Sequence, residues 1–462
     1  MENNHNIQTV LVIGLGRIGL PQALVLTNYC NTVYGFTHNH TITVTLKNKQ
    51  IPFNEPGMLR LLQERSEQQF YILETWASVQ KIMAEIDCII FCVGTQAPSN
   101  EDILNHAPFD LSQYYALLDQ VFSDKTIVKK TISLIIHTTL PLGTTDKLKY
   151  YLENTHHLKE SQDFFLAFVP ERMAEGVAIS ESQSLPKIIG TYSDAAFEII
   201  NELFSRHGGQ TIRVQNPTTA EFCKLTDNSY RSTMFSYANE LAMFANTLQI
   251  NVNDVIHAVN HHYKRNHIPQ PGFVSGYCLM KDPYIFELDF LNQQPERSFH
   301  SLWYYGRRTN DFLIDFVVNK IVKSIKNKTS ACVTILGLSF KENVDDFRMS
   351  HAFKIMDGLI EKNIIQFNVY DPNLETNTYT QIPAIYEPYV IAKSNQISPE
   401  IFADVDAILI AVPHKELLTY NSDTKLHSLI QQARKPCYLI DIYNIWDSAS
   451  TMMEVDYASF WN

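Results

Sequence analysis

The sequence predicts an α/β protein in which two parallel-sheet domains flank a helical middle. Three observations predict it. Apolar, β-branched runs alternate with helical stretches through roughly the first 210 residues. A long run with helical spacing follows, and an α/β pattern begins again near residue 328.

In the first part, strands are read in TVLVIGLG, NTVYGFT, DCIIFCVG, ISLIIHTT and FLAFVPER, each rich in β-branched or aromatic residues and closed by turn or polar residues. Strands that alternate with helices imply a parallel sheet flanked by those helices. From about Asn216 to Leu248 one long helix is expected: Asn216 suits the N-cap, Pro217 suits the first helical position, and apolar residues recur at helical spacing. After PGFVSGYCLMKDP (271–283), helix-like sequence continues to about Lys326. ACVTILGLSFK, QFNVYDPN, VDAILIAVPH and PCYLIDIYNIW then supply the strands of a second sheet. The domains are drawn at 1–210, 211–327 and 328–462.

A chain of 462 residues with 45% hydrophobic residues has room for two or three cored domains. The net charge of −12 argues against general nucleic-acid binding, and an anionic ligand would need local cations. Seven cysteines (Cys30, Cys88, Cys92, Cys223, Cys278, Cys332 and Cys437) are odd in number and scattered, so no disulfide framework is expected. No CxxC or Cys/His cluster points to zinc, and no metal is expected. The polar MENNHNIQTV start and the lack of a long apolar run predict a cytoplasmic protein with no membrane partner.

VLVIGLGRIGLP places Gly14, Gly16 and Gly19 as G-x-G-x-x-G directly after a strand. Gly14 makes the tight turn, Gly16 lets the backbone approach a pyrophosphate, and Gly19 permits close helix–sheet packing at a helix N-terminus. The plainer alternative is a glycine-rich turn that binds nothing. The second strand should end in an acid for the ribose hydroxyls of NAD, but NTVYGFTHN ends in Thr37, and no arginine follows to favour NADP. NAD is the cofactor expected, and its contacts are assigned to Gly14, Gly16, Ile18, Gly19, Thr37, Thr95 and Lys341.

FNEPGMLRLL, HTTLPLGTT, VPERMAEGVA, TAEFCKLTDNSYRSTMFSYANEL, the Cys278 segment, GLSFKENVDDFRMS and AVPHKEL occur in one order. Together they resemble the nucleotide-sugar 6-dehydrogenases of the UDP-glucose/GDP-mannose dehydrogenase family, over nearly the whole chain. The PER segment and CxxxDPY look most like the branch that oxidises UDP-N-acetylhexosamines. The resemblance implies two Rossmann-like doubly wound domains joined by a long central helix. The first would hold NAD, the helix would carry a homodimer contact, and the last would hold a UDP-sugar. The implied reaction is a four-electron oxidation of a C6 alcohol to a carboxylate with two NAD.

Lys224 and Asn228 lie four apart and face the same way on a helix, so an ammonium and an amide donor could stabilise charge on the reacting oxygen. A solvated lysine is the bland alternative. Cys278 sits in a glycine-flanked, polar segment expected to be a loop, with Lys281 near enough to favour a thiolate. A thiolate adds to the aldehyde, hydride loss gives a thioester, and water releases the acid. A small buried thiol is the alternative. By resemblance Asp282 orients or activates a water, Glu171 handles that water, Thr139 hydrogen-bonds it, and Glu175 belongs to the substrate site. Lys341, Arg348 and Arg265 are the candidate cations for the diphosphate, and the resemblance implies that Arg265 reaches across a dimer; Arg348 could instead only pair with Asp345 or Asp346.

Thr37, the Ser275-Gly276 pair where the family has Gly-Gly, and Tyr443 in place of a basic residue depart from the pattern. Serine resists the positive φ that glycine permits, so a different backbone route to Cys278 is expected. Two other readings stand beside the main one: a one-hydride β-hydroxyacid dehydrogenase, and a non-catalytic sugar-nucleotide binding protein.

Overall fold

A computed structural model of the chain describes residues 6–95, 109–123, 130–206 and 209–459. Strands β1 (Thr9–Ile13), β2 (Thr32–Phe36), β3 (Phe70–Leu73), β4 (Cys88–Phe91), β5 (Ile132–Ile136), β6 (Phe164–Phe168), β7 (Lys187–Thr191) and β8 (Thr211–Val214) form one sheet. Its order is β3-β2-β1-β4-β5-β6-β7-β8, and the first six strands follow the doubly wound dinucleotide-binding order. A second sheet holds β9 (Cys332–Leu336), β10 (Gln366–Tyr370), β11 (Val390–Ser394), β12 (Ala407–Ile410), β13 (Cys437–Ile440) and β14 (Val455–Ala458). Its order, β11-β10-β9-β12-β13-β14, repeats the same winding.

The strands expected from the sequence are all present, and five more join them. β8, an edge strand, is largely uncovered and carries no continuous apolar run, whereas β3 at the opposite edge is a short apolar run of which only Phe70 is buried. β11 and β14, the two edges of the second sheet, are likewise only partly buried. β7 is buried throughout but opens with Lys187, and that charge hides it from a hydrophobicity reading. The expectation of a purely parallel first sheet is corrected at one pairing, since β7 runs antiparallel to β6.

Side chains alternate between faces as the period of two requires. In β1, Leu11 and Ile13 enter the cluster with Ile89, Phe91 and Leu134. In β9, Val333 and Ile335 face one core with Ile355 and Leu359, whereas Cys332 and Leu336 face another with Phe402 and Trp446. Both faces are covered, as a parallel sheet demands.

The long helix spans Pro217–Thr247, with Asn216 accepting from the Thr219 backbone N–H at 2.8 Å as the expected cap. Helices Tyr277–Gln293 and Leu302–Ser324 follow. The chain divides into two compact units, Met1–Asp227 with Leu288–Glu296, and Asn228–Glu287 with Arg297–Asn462. The division falls inside the long helix.

Candidate active site

In the first unit the glycine turn has the geometry its spacing implies. Gly14 has φ +100°, and a Cβ there would lie 2.6 Å from the Cys92 carbonyl oxygen. A Cβ on Gly19 would lie 1.8 Å from the Gly14 carbonyl oxygen, while one on Gly16 would meet nothing within 4 Å. Backbone that is packed at Gly14 and Gly19 and open at Gly16 is what a pyrophosphate needs. Ile18 stands at the N-cap of helix Gly19–Leu26, and no side chain caps that end. The Thr37 hydroxyl accepts from the Asn39 backbone N–H at 3.3 Å, at the tip of β2. Thr95 is buried and donates to the Thr139 carbonyl at 2.5 Å, so the two threonines expected at the cofactor and at the water are tied together. These residues fit NAD.

Arg17, inside the glycine motif, pairs with Glu175 at 3.2 Å and lies 4.6 Å over the Phe53 ring. Glu55 accepts from the backbone N–H groups of Gly176 and Ala178, both at 2.8 Å. FNEPG thus clasps the loop of VPERMAEG, a contact that two separate motifs could not announce. Glu175, expected at the substrate, is placed against the nucleotide turn.

Glu171 is buried, and all four acceptor positions of its carboxylate are in use. Oε1 accepts from the backbone N–H of Arg172 at 2.7 Å and of Met173 at 3.0 Å. Oε2 meets His137 Nε2 at 3.0 Å and Lys187 Nζ at 2.6 Å. Burial pushes this carboxyl up, but Lys187 and His137 outweigh it and hold the group well below the usual carboxylate range. Its backbone carbonyl accepts from Lys224 Nζ at 2.7 Å, and Lys224 is itself buried. Lys224 is therefore no solvated lysine. His137 and Lys187 were missed in the sequence; a histidine opening HTTLP and a lysine in a strand give no sign of a common partner.

In the second unit Cys278 is exposed, whereas Cys30, Cys88, Cys332 and Cys437 are buried and their thiols pushed up, that of Cys437 to about 12. The expectation of a loop is corrected: Cys278 is the second residue of helix Tyr277–Gln293. Gly276, at φ +87°, turns the chain into that helix, and Met280 N–H closes its first turn on the Gly276 carbonyl at 3.2 Å. Ser275 is absent from the positive-φ residues, so the serine avoids the conformation it would resist.

Asp282 is fully buried between two donors, Lys281 Nζ at 2.6 Å and Asn228 Nδ2 at 2.5 Å. Arg231 donates to the Asn228 amide oxygen, fixing which end of the amide faces Asp282. Burial opposes the Lys281 charge, but Asp282 and the Cys278 thiol lift its pKa above the ordinary lysine value. Pro283, inside the helix, frees the carbonyl four residues back, and Arg307 donates to that Leu279 oxygen at 3.5 Å.

Gly337, at φ +97°, follows β9 as Gly14 follows β1, and a Cβ on it would lie 2.4 Å from Val412 Cβ. Asp371 at the end of β10 accepts from the backbone N–H groups of Leu338 and Ser339, both at 2.8 Å, holding this turn. Lys341 lies 5.9 Å over Phe340. Arg348 does pair with Asp346, at 2.7 Å, and its guanidinium covers Tyr379 at 4.4 Å and Tyr277 at 5.7 Å. Arg265 is exposed and lies 4.7 Å over Tyr263. Tyr443 donates to the Ala411 carbonyl at 3.1 Å.

The chain matches the UDP-glucose/GDP-mannose dehydrogenase family along its length: the NAD binding domain over residues 8–207, the central domain over 218–310 and the UDP binding domain over 334–448. A UDP-N-acetyl-D-mannosamine dehydrogenase of Campylobacter jejuni is 30% identical over 422 residues, covering 90% of this chain and 97% of that protein. The enzyme of the same name from Methanococcus vannielii is 31% identical over 376 residues, 81% of this chain and 82% of that one. The structure of UDP-D-ManNAc dehydrogenase from Pyrococcus horikoshii superposes with a TM-score of 0.81 at 27% identity, covering 98% and 99% of the two chains. A UDP binding domain leaves the one-hydride hydroxyacid reading without support, and no relative favours a non-catalytic protein. An NAD turn, a nucleotide-sugar domain and full-length relatives together show that this chain belongs to the UDP-glucose/GDP-mannose dehydrogenase family and is an NAD-dependent nucleotide-sugar dehydrogenase.

Proposed function

We propose that the substrate is UDP-N-acetylmannosamine or a closely related UDP-N-acetylhexosamine, oxidised at C6 to the uronate through a covalent thioester. The observation that carries this reading is Cys278, exposed in the first turn of its helix beside the buried Lys281–Asp282–Asn228 chain. The Gly14–Gly19 turn would hold NAD, which would supply the hydride acceptor for each of the two oxidations. Cys278 adds to the C6 aldehyde as a thiolate, favoured by Lys281 and by the helix N-terminus. Loss of the second hydride leaves the thioester; water adds to its carbonyl, the C–S bond breaks and the thiol is restored.

Roles are proposed unit by unit. In the first, Lys224 stabilises negative charge on the reacting oxygen, its Nζ aimed by the Glu171 carbonyl. Thr139 holds the hydrolytic water. Glu171, expected to handle that water, can accept its proton only by exchanging one of its four bonds, so its main part is to fix this loop. Glu175 acts on substrate indirectly, through the Arg17 contact. In the second, Asn228 supplies an amide donor and Asp282 activates water, while Lys341 and Arg348 bind the diphosphate. The segments 1–210, 211–327 and 328–462 serve NAD binding, dimerisation and UDP-sugar binding.

A homodimer through the long helix completes the proposal. Tyr230, Tyr237 and Phe244 stand at seven-residue intervals on it, 62%, 52% and 63% exposed, an apolar row that a partner helix would cover. Arg265 would then reach the partner's sugar nucleotide. No described helix is long and apolar enough to cross a membrane. Action in the cytoplasm, in polysaccharide biosynthesis, belongs to the same reading, since a UDP-uronate is a glycosyl donor. The test is a panel of UDP- and GDP-sugars with NAD, following NADH absorbance against product. Two NADH per uronate, highest with a UDP-N-acetylhexosamine, is expected; one NADH per product overturns the proposal.

A further inference from the structure

The segment that delivers Cys278 is pinned residue by residue. Gly272 N–H donates to the Asn239 amide oxygen at 2.8 Å, and the Asn239 amide nitrogen donates to the Gly272 carbonyl at 2.9 Å. Arg307 donates to the Val274 carbonyl at 3.1 Å. Gly276 N–H donates to the Met349 carbonyl at 3.2 Å, and a Cβ on Gly276 would strike the Phe340 ring at 2.5 Å. Between these anchors, the Ser275 hydroxyl donates to the Phe340 carbonyl at 2.7 Å and lies 2.8 Å from His351 Nδ1.

His351 is fixed from its other side. The Ala411 carbonyl, 2.7 Å from Nε2, can only accept, so Nε2 carries a proton. Phe273 stacks on the ring at 4.3 Å, and burial pushes the imidazole down to about 4, so it is neutral and Nδ1 is a bare acceptor. The one Ser275 proton therefore has two acceptors within reach, Phe340 O and His351 Nδ1, and whichever takes it ties the segment down. Phe340 directly precedes Lys341, and His351 opens helix His351–Glu361 just after Arg348.

We propose that Ser275 and His351 form a latch that sets Cys278 against the Lys341–Arg348 turn, making both of them positioning residues for the covalent oxidation. The latch replaces the conformational freedom of a second glycine with a side-chain bond, which is why serine is accommodated beside Gly276. The proposal rests on Cys278 being the nucleophile, and its test is chosen to separate the two claims.

The test uses the full-length enzyme with Ser275→Ala, the hydroxyl-retaining Ser275→Thr, and His351→Ala. Alkylation of Cys278 by iodoacetamide, followed by mass spectrometry, reads the thiol's placement without turnover. The loss of one partly buried hydrogen bond should change that rate by about three- to ten-fold in Ser275→Ala and His351→Ala, with Ser275→Thr near wild type. In turnover, kcat for uronate should fall by a similar factor in the same two variants, while NAD affinity, measured by NADH fluorescence, stays unchanged. Wild-type alkylation rates in both Ser275→Ala and His351→Ala overturn the latch, whatever Cys278 does in catalysis. Wild-type uronate production by Cys278→Ser overturns the nucleophile and leaves the alkylation result to judge the latch alone.

Discussion

Glu171 commits its whole carboxylate to neighbours inside the protein, and the consequence is asymmetric. Lys187 is buried against it, so truncating Lys187 strands a buried negative charge. Lys187→Met should cost about 3–5 kcal/mol in urea unfolding, and Glu171→Gln in that background should recover part of the loss. Because the folded pKa of Glu171 is depressed, its contribution is present above the ordinary 4.5 and is lost as pH falls through the folded value. Asp289 behaves oppositely. Burial lifts its pKa from 3.8 to about 7, against the Leu142 N–H it accepts at 2.8 Å. A raised carboxyl contributes stability below its unfolded pKa and loses it as pH rises through the folded one. Asp289→Asn should therefore gain on wild type between pH 5 and 8, by on the order of 2–4 kcal/mol, measured by urea midpoints across that range. Equal slopes for the two proteins would refute this.

Among the elements, the strand–turn–helix around Gly14 separates binding from folding. Gly16 faces open space, so Gly16→Ala should fold within about 0.5 kcal/mol of wild type. The added methyl stands where the pyrophosphate approaches, and NADH affinity by fluorescence titration should drop at least about ten-fold. Gly19→Ala drives a methyl into the Gly14 carbonyl and should lose about 1–3 kcal/mol of stability as well. If Gly16→Ala bound NADH normally, the assignment of this turn would fail. Helix Tyr277–Gln293 shows the reverse lesson. Its glycine-flanked, polar approach reads as a loop, but Gly276 serves as the turn into the helix and Arg307 takes the carbonyl that Pro283 frees.

For the whole molecule, the exposed aromatic row on the long helix carries the oligomer prediction. Wild-type protein should sediment as a dimer, and Tyr237→Asp with Phe244→Asp should shift it to monomer, since a charge in a packed apolar seam is costly. A monomeric wild type at micromolar concentration would rule the seam out. Arg265 adds a functional arm: should it serve the partner's site, the monomeric variant loses turnover while retaining NADH binding.

The sequence by itself determined the two sheets, the long helix and its Asn216 cap, and the nucleotide turn. Each of these rests on a local signal: strand composition, a glycine spacing, a cap, a helical period. Edge strand β8 escaped it because an exposed edge needs no apolar pattern. Only the tertiary structure decided the partners of the polar and charged side chains. Lys187 with Glu171, Arg17 with Glu175 and Ser275 with His351 join residues 16, 158 and 76 positions apart. Burial makes each of these contacts strong, and burial is a property of the packed fold that no stretch of sequence carries alone.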